Sequence, residues 1–238
     1  MNKLLLAMSV CAFYSAGAAA SEWGYEGSHG PAHWGGVSQT CAKGQNQSPV
    51  DIEGALPANL SALNVSYQGQ VTALTNNGHT LQATVEGNNQ LQVDGKTFTL
   101  KQFHFHTPSE NLIKAYQYPL EAHFVNADEQ GSLAVVAVMF DMGSENPALK
   151  QLTESLPDKG HTVDLAHPFA VDTLLPETNH YYRFNGSLTT PPCSEGVRWF
   201  VMQQPKALSE QQRAVLTGMM GKNNRPIQPR NARIFVSN

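Results

Sequence analysis

Charge is scarce in this 238-residue chain: Asp, Glu, Lys and Arg make up 14% of it, and 15 basic residues face 19 acidic ones. With no basic excess and no basic run, a nucleic-acid partner is excluded on electrostatic grounds. No apolar stretch in the body of the chain reaches 18 residues, so the mature protein is not expected to insert into a membrane. Repeats, low-complexity tracts and linker-like runs are missing as well, which leaves a single domain. What the chain does have is apolar material, at 41%. That is enough to fill one sizeable core, and it excludes disorder. Three cysteines and nine histidines complete the informative counts.

The first twenty residues read as a signal peptide. Lys3 is a positive start, Leu4 to Phe13 is a short apolar run, and Ala18-Ala19-Ala20 offers the small residues of a cleavage site. Cleavage near Ala20 leaves residues 21–238 as one domain, exported to the periplasm or secreted. Losing Lys3 from the 15 basic residues leaves 14 against 19 acidic, a net charge of −5 where the whole chain has −4. Cys11 departs with the signal. Cys41 and Cys193 then form an even pair in an oxidising compartment, most simply one disulfide, with two buried free thiols as the alternative.

Short β-type segments separated by turn residues dominate the remainder. Strands are expected at Val71–Thr75, His79–Val85, Gln90–Val93, Thr97–Thr107, Leu120–Ala127, Leu133–Phe140 and Val197–Met202. Turn signals such as Asn76-Asn77-Gly78 and Asp94-Gly95 space them as hairpins, which points to a mostly antiparallel sheet. Helices are expected over Asn146–Leu156 and after Ser209, where Gln212 completes a capping box.

One strand carries an unusual pattern. In Lys101-Gln102-Phe103-His104-Phe105-His106, alternation places Gln102, His104 and His106 on one face and the phenylalanines on the other. In Leu120-Glu121-Ala122-His123-Phe124-Val125, the residues Glu121, His123 and Val125 share a face. If these strands pair antiparallel, a third imidazole joins the first two. Three neutral nitrogen ligands with an open fourth position suit catalytic zinc, and Gln102 and Glu121 could accept the remaining ring N–H groups of His104 and His123. A solvated edge-strand carboxylate is the plainer reading of Glu121, but on an inward face it would be a costly unpaired charge.

With these residues in place the chain resembles the α-class carbonic anhydrases. The resemblance runs through Trp23-Gly24-Tyr25, Gly30-Pro31-Ala32-His33-Trp34, Gln47-Ser48-Pro49-Val50-Asp51-Ile52 and Asn77-Gly78-His79. It continues through the histidine strands, Ser109-Glu110, Gly186-Ser187-Leu188-Thr189-Thr190-Pro191-Pro192 and Asn224-Arg225-Pro226-Ile227-Gln228-Pro229. Each motif is weak alone, but together, in family order, they are specific. The resemblance implies a mainly β fold: a large twisted, mostly antiparallel central sheet with short surface helices. It implies Zn2+ on His104, His106 and His123, and reversible hydration of carbon dioxide to bicarbonate and a proton through a zinc-bound hydroxide.

It also assigns roles to residues that no spacing rule would single out. Thr189 matches the threonine that accepts the hydroxide's hydrogen bond, and Glu110 the carboxylate that takes the threonine's own proton. Val125, Val135, Leu188, Val197 and Trp199 match the apolar wall for carbon dioxide, and Thr190 a polar contact for bicarbonate. His79 matches the proton-shuttle histidine, with Asn77 and Gln82 placed to hold the intervening water chain. An unperturbed imidazole both takes and releases protons near neutral pH. Thr107-Pro108 stands where many animal members carry Trp-Gly, which should alter packing beside the site and not metal ligation. His29, His33, His161, His167 and His180 match no catalytic position and are expected at the surface or in loops. The pairing of Cys41 with Cys193 resembles that of secreted and bacterial members, and a homodimer is compatible with the same likeness.

Overall fold

The computed structural model describes residues 22–238, so the segment read as a signal peptide lies outside the described residues. A 13-stranded mixed sheet organises the molecule. Its main path runs Thr162–Ala170, Gln70–Asn76, Leu81–Glu86, Lys96–His106, Leu120–Ala127, Leu133–Met142, Glu195–Met202, Tyr181–Ser187, Val236–Ser237 and Leu56–Pro57. Most neighbours are antiparallel. Glu195–Met202 runs parallel to Leu133–Met142, however, with Val135 opposite Trp199 and Ala137 opposite Val201. Chain distance explains why pattern could not show this: hairpin signals report only neighbours joined by short turns.

The sheet buries both faces, in chemically different ways. On one face Phe103, Phe105, Phe124, Val136, Val138 and Phe200 pack beneath Leu149, Leu152 and Leu216 of the covering helices. Each fully buried phenylalanine there contributes roughly 1.5–3 kcal/mol, so this face supplies much of the stability. On the other, Val135, Ala137, Met139, Val197, Trp199 and Val201 form a second cluster with Val50, Ile52 and Phe235. The three histidines sit beside that second cluster. Stability and chemistry are thus carried by opposite sides of the same strands.

Helix signals behave as capping rules require. Asn146 caps Pro147–Thr153 by accepting from the N–H groups of Ala148 and Leu149, and Ser209 and Gln212 form a reciprocal capping box at the start of Glu210–Met220. The first helix stops at Thr153, short of the expected Leu156. Two substantial strands escape sequence reading. Thr162–Ala170 is an edge strand with Pro168, largely exposed, and Tyr181–Ser187 contains, just before its last residue, Asn185-Gly186, which reads as a turn. Gly186 is needed there: a Cβ would collide with Ser48 Oγ and the Trp199 indole.

Cys41 and Cys193 form a disulfide across 152 sequence positions, which excludes the free-thiol alternative. Cys41 lies on the short helix Gln39–Lys43, and the bridge packs with the buried Trp34 against Trp23 and Tyr25. It ties the N-terminal segments to the Thr189–Pro192 loop. A cross-link closing so long a loop restricts the unfolded chain by up to about 5 kcal/mol. The double variant Cys41→Ser/Cys193→Ser should therefore lose about 2–5 kcal/mol in denaturant titration. A loss within the error of the titration would show that the bridge contributes nothing to stability.

Candidate metal centre and active site

Register brings the histidines together. Lys96–His106 and Leu120–Ala127 pair antiparallel with His106 opposite Glu121, His104 opposite His123, and Gln102 opposite Val125. Because side chains alternate, all six share one face of the sheet. Ring centroids lie 5.1 Å apart for His104 and His106, 5.4 Å for His104 and His123, and 4.5 Å for His106 and His123. One nitrogen from each ring falls within 4.8 Å of the other two.

The second nitrogen of each ring already has an acceptor beside it. His104 Nδ1 is 2.9 Å from Gln102 Oε1, His106 Nδ1 is 2.8 Å from the backbone oxygen of Asn223, and His123 Nε2 is 2.9 Å from Glu121 Oε1. The Gln102 and Asn223 oxygens each take a ring N–H and so leave a lone pair on the opposite nitrogen, while Glu121 Oε1 lies beside His123 Nε2 without a formed hydrogen bond. The converging donors are therefore Nε2 of His104, Nε2 of His106 and Nδ1 of His123. His106 Nε2 is buried with no hydrogen-bond partner among the described residues, a costly state for an imidazole nitrogen unless it serves as a ligand. Burial and mutual charge push His104 and His123 well below the usual imidazole range, and burial lowers His106 too. All three are neutral at pH 7, as metal ligation requires. Three neutral imidazoles, His106 and His123 buried and His104 half-buried, fit Zn2+, a borderline-soft cation that takes nitrogen ligands.

Sequence reading supplied Gln102 and Glu121 as outer partners but missed Asn223, whose contribution comes from its main chain. No side-chain pattern could have pointed to it. Glu121 is fully buried and is not the edge-strand charge of the plainer reading: it accepts from the N–H of Glu110 at 2.7 Å, the N–H of Asn111 at 2.9 Å and Asn111 Nδ2 at 2.8 Å. Burial pushes its carboxyl upward, and these donors oppose that shift.

Glu110 is also completely buried, with Oε2 3.4 Å from His106 Nε2 and 3.9 Å from His123 Nδ1. Its Oε1 accepts from the Arg225 backbone N–H at 2.8 Å. Burial pushes this carboxyl up to about 8, while the Arg225 N–H hydrogen-bonded to it and the neighbouring Thr189 hydroxyl pull it back. A cation among the imidazoles would favour the carboxylate further. Thr189 is buried, whereas Thr190 is half-buried and its carbonyl accepts the Cys193 N–H at 2.8 Å.

The apolar residues come from four different segments. Cross-strand pairing lines up Val125, Val135 and Trp199 in one row, and Leu188 and Val197 pack into the same cluster. Trp199 meets His123 edge-on at 4.9 Å and donates its indole N–H to the Ser187 carbonyl at 3.1 Å. Gln82 pairs opposite His104 and so stands on the imidazole face.

His79 differs from its expected strand position. It lies in a bend, and the following strand begins at Leu81. The cause is Asn77, whose Oδ1 accepts from the backbone N–H groups of His79 and Thr80, both at 2.9 Å, holding them out of the ladder. This commits the acceptor end of Asn77 to the turn and leaves its NH2 group for any water chain. The His79 ring stacks on Trp23 at 3.9 Å and 11° between planes. It lines a small cavity with Glu22, Tyr25, His29 and Lys159. Burial lowers its pKa, Lys159 adds to that, and Glu22 opposes it. Thr107 is buried, its hydroxyl 2.8 Å from that of Thr217 on the helix behind it. His29, His33, His161, His167 and His180 are all exposed, with His167 on a strand.

Known proteins resemble this one along the whole chain. The profile of a family described as eukaryotic-type carbonic anhydrase matches residues 29–238. A carbonic anhydrase of Pectobacterium carotovorum is 46% identical over 241 residues, 99% of each chain. The solved α-carbonic anhydrase of Photobacterium profundum is 59% identical with a TM-score of 0.89, covering 90% of this chain and 100% of that one. That of Thermovibrio ammonificans, solved in complex with the inhibitor sulfanilamide, is 45% identical with a TM-score of 0.88, covering 90% and 98%. With a family match across most of its length and relatives this similar end to end, the chain belongs to the α-class carbonic anhydrase family.

Proposed function

We propose that this chain catalyses the reversible hydration of carbon dioxide to bicarbonate and a proton, using Zn2+ held by His104, His106 and His123. The convergence of three neutral imidazole nitrogens, each with an acceptor oxygen within 2.9 Å of its opposite nitrogen, is the observation that carries this reading. When bound, zinc supplies the Lewis acidity that ionises water near neutral pH, a chemistry of which carbonic anhydrases are themselves the type example.

The protein's part is orientation, exclusion of water and proton movement. Thr189 donates its hydroxyl proton to Glu110, so toward the pocket it only accepts. A water or hydroxide oxygen that donates to Thr189 has its hydrogen directed and a lone pair left for attack on carbon. Val125, Val135, Leu188, Val197 and Trp199 form an apolar wall that suits a nonpolar substrate, and Thr190 supplies a polar contact for the bicarbonate product. His79 carries the released proton outward from the rim, with Gln82 and the amide of Asn77 holding intervening waters. Export to the periplasm or exterior accords with the Cys41–Cys193 bridge, since such bonds persist in oxidising compartments. No helix of the described residues is long and apolar enough to cross a membrane.

Stopped-flow measurement of carbon dioxide hydration on zinc-replete protein tests the proposal, with strong acceleration and one zinc per chain expected. Ester cleavage without carbon dioxide hydration would redirect it to a zinc hydrolase, and failure to bind stoichiometric zinc to a silent binding module. His79→Ala should lower kcat at low buffer concentration by about tenfold or more, with added imidazole restoring it. A rate independent of buffer in that variant would remove His79 from proton transfer.

A further inference from the structure

Asn223 has a place in this site that its sequence context hides. It is fully buried, and every polar atom of its side chain is used. Its Nδ2 donates to the backbone oxygen of His79 at 3.0 Å and to that of Phe105 at 2.9 Å, while its Oδ1 accepts from the N–H of Thr107 at 2.7 Å. Its main-chain oxygen meets His106 Nδ1 at 2.8 Å. One residue thus holds the strand on both sides of His106, the His106 ring itself and the peptide that leaves His79. Its neighbour Asn224 shows the contrast, because its buried Oδ1 has no partner among the described residues.

We infer that Asn223 is a positioning residue for proton export: its side chain fixes where the His79 imidazole stands relative to the metal ligand His106. The inference rests on the reading of His79 as the proton carrier. Two anchors hold the turn before and after this point. Asn77 Oδ1 takes the His79 and Thr80 N–H groups, and Thr80 Oγ1 donates to the Phe105 carbonyl at 2.6 Å. Because the His79 carbonyl and the Thr80 N–H lie in one planar peptide, Asn77 holds the N–H side of the 79–80 unit and the Asn223 amide holds its carbonyl side. Of these two residues only Asn223 is rooted, through Phe105 and Thr107, in the His-x-His strand. Proton transfer through ordered water depends steeply on such stand-off distances, whereas attack on carbon dioxide does not involve His79.

The split between kinetic parameters separates positioning from general support. Since kcat/KM reports steps up to the first product release, a defect confined to later proton export appears in kcat alone. In zinc-replete Asn223→Ala the main-chain bond to His106 is retained. We expect kcat at low buffer to fall about fivefold or more, kcat/KM to stay within about twofold, and imidazole to restore kcat. Equal losses in both parameters that imidazole does not repair would show a merely structural role and overturn the inference, as would an unchanged kcat. Should Asn223→Ala fail to fold, Asn223→Asp decides by the same criteria, because it keeps the acceptor for Thr107 and removes both donors. His79→Ala is measured alongside. Buffer dependence there without any in the Asn223 variants overturns the role of Asn223 alone, and no buffer dependence in His79→Ala overturns the shuttle reading together with this one.

Discussion

His104→Ala is expected to lose stoichiometric zinc and, with it, carbon dioxide hydration, while remaining folded. Removing an outer-shell partner of a metal ligand costs roughly 10–100-fold in affinity or activity, so removing a ligand should exceed that range. Two features make His104 the informative choice. It is the least buried of the three imidazoles, and its outward partner, Gln102, is itself half-buried. The opposite face of its strand, with Phe103 and Phe105, belongs to the larger core and does not depend on the imidazole. Metal analysis, far-ultraviolet circular dichroism and stopped-flow hydration on one preparation give the answer. A variant with full zinc and undiminished hydration would remove His104 from the metal site, and the three-histidine reading with it.

Thr189→Ala should slow hydration by about a hundredfold while zinc stays bound, because the misdirected oxygen loses its attack geometry and not its charge. Thr189→Ser keeps a hydroxyl for Glu110 and should recover most of the rate. The pairing matters because Glu110 is fully buried between the imidazoles and the Arg225 N–H, so the threonine hydroxyl meets a group that is itself held in place. If Thr189→Ala and Thr189→Ser lose activity equally, packing of the loop is responsible and not the hydrogen bond. Undiminished hydration in both would leave the orientation argument without support. The Cys193 end of the disulfide lies four residues beyond Thr189, so the bridge should be verified as intact in each variant.

How much of this was legible in the chain depended on the range of the interaction. Alternation within Gln102-Phe103-His104-Phe105-His106 placed two imidazoles on one face without any knowledge of the fold, because the pleat has a period of two. The same rule put Glu121, His123 and Val125 on one face of their strand. Capping at Asn146 and Ser209 is equally local, and both caps are formed. His79 was less accessible, since hydrogen bonds from the Asn77 side chain, and not strand propensity, decide that it sits in a bend. Thr189 and Glu110 lie 79 residues apart, counting from 110 to 189, and only the family likeness brought them together before the structure did.

The chemical inventory is what the sequence determined by itself: a low-charge, cored chain, three imidazoles on alternating strand positions, two cysteines able to pair, and well-marked helix starts. Those properties follow from covalent order and short-range geometry. Only the tertiary structure decided how the pieces converge. It set His104 opposite His123, ran the Trp199 strand parallel beside Val135, and lodged Asn223 against both His106 and the His79 turn. The reason is physical: such juxtapositions depend on pairing between segments far apart in the chain and on main-chain groups that every residue shares. The scarcity of charge argued only against a nucleic-acid partner, and folding turned the nine histidines into three ligand candidates, one at the rim and five at the surface.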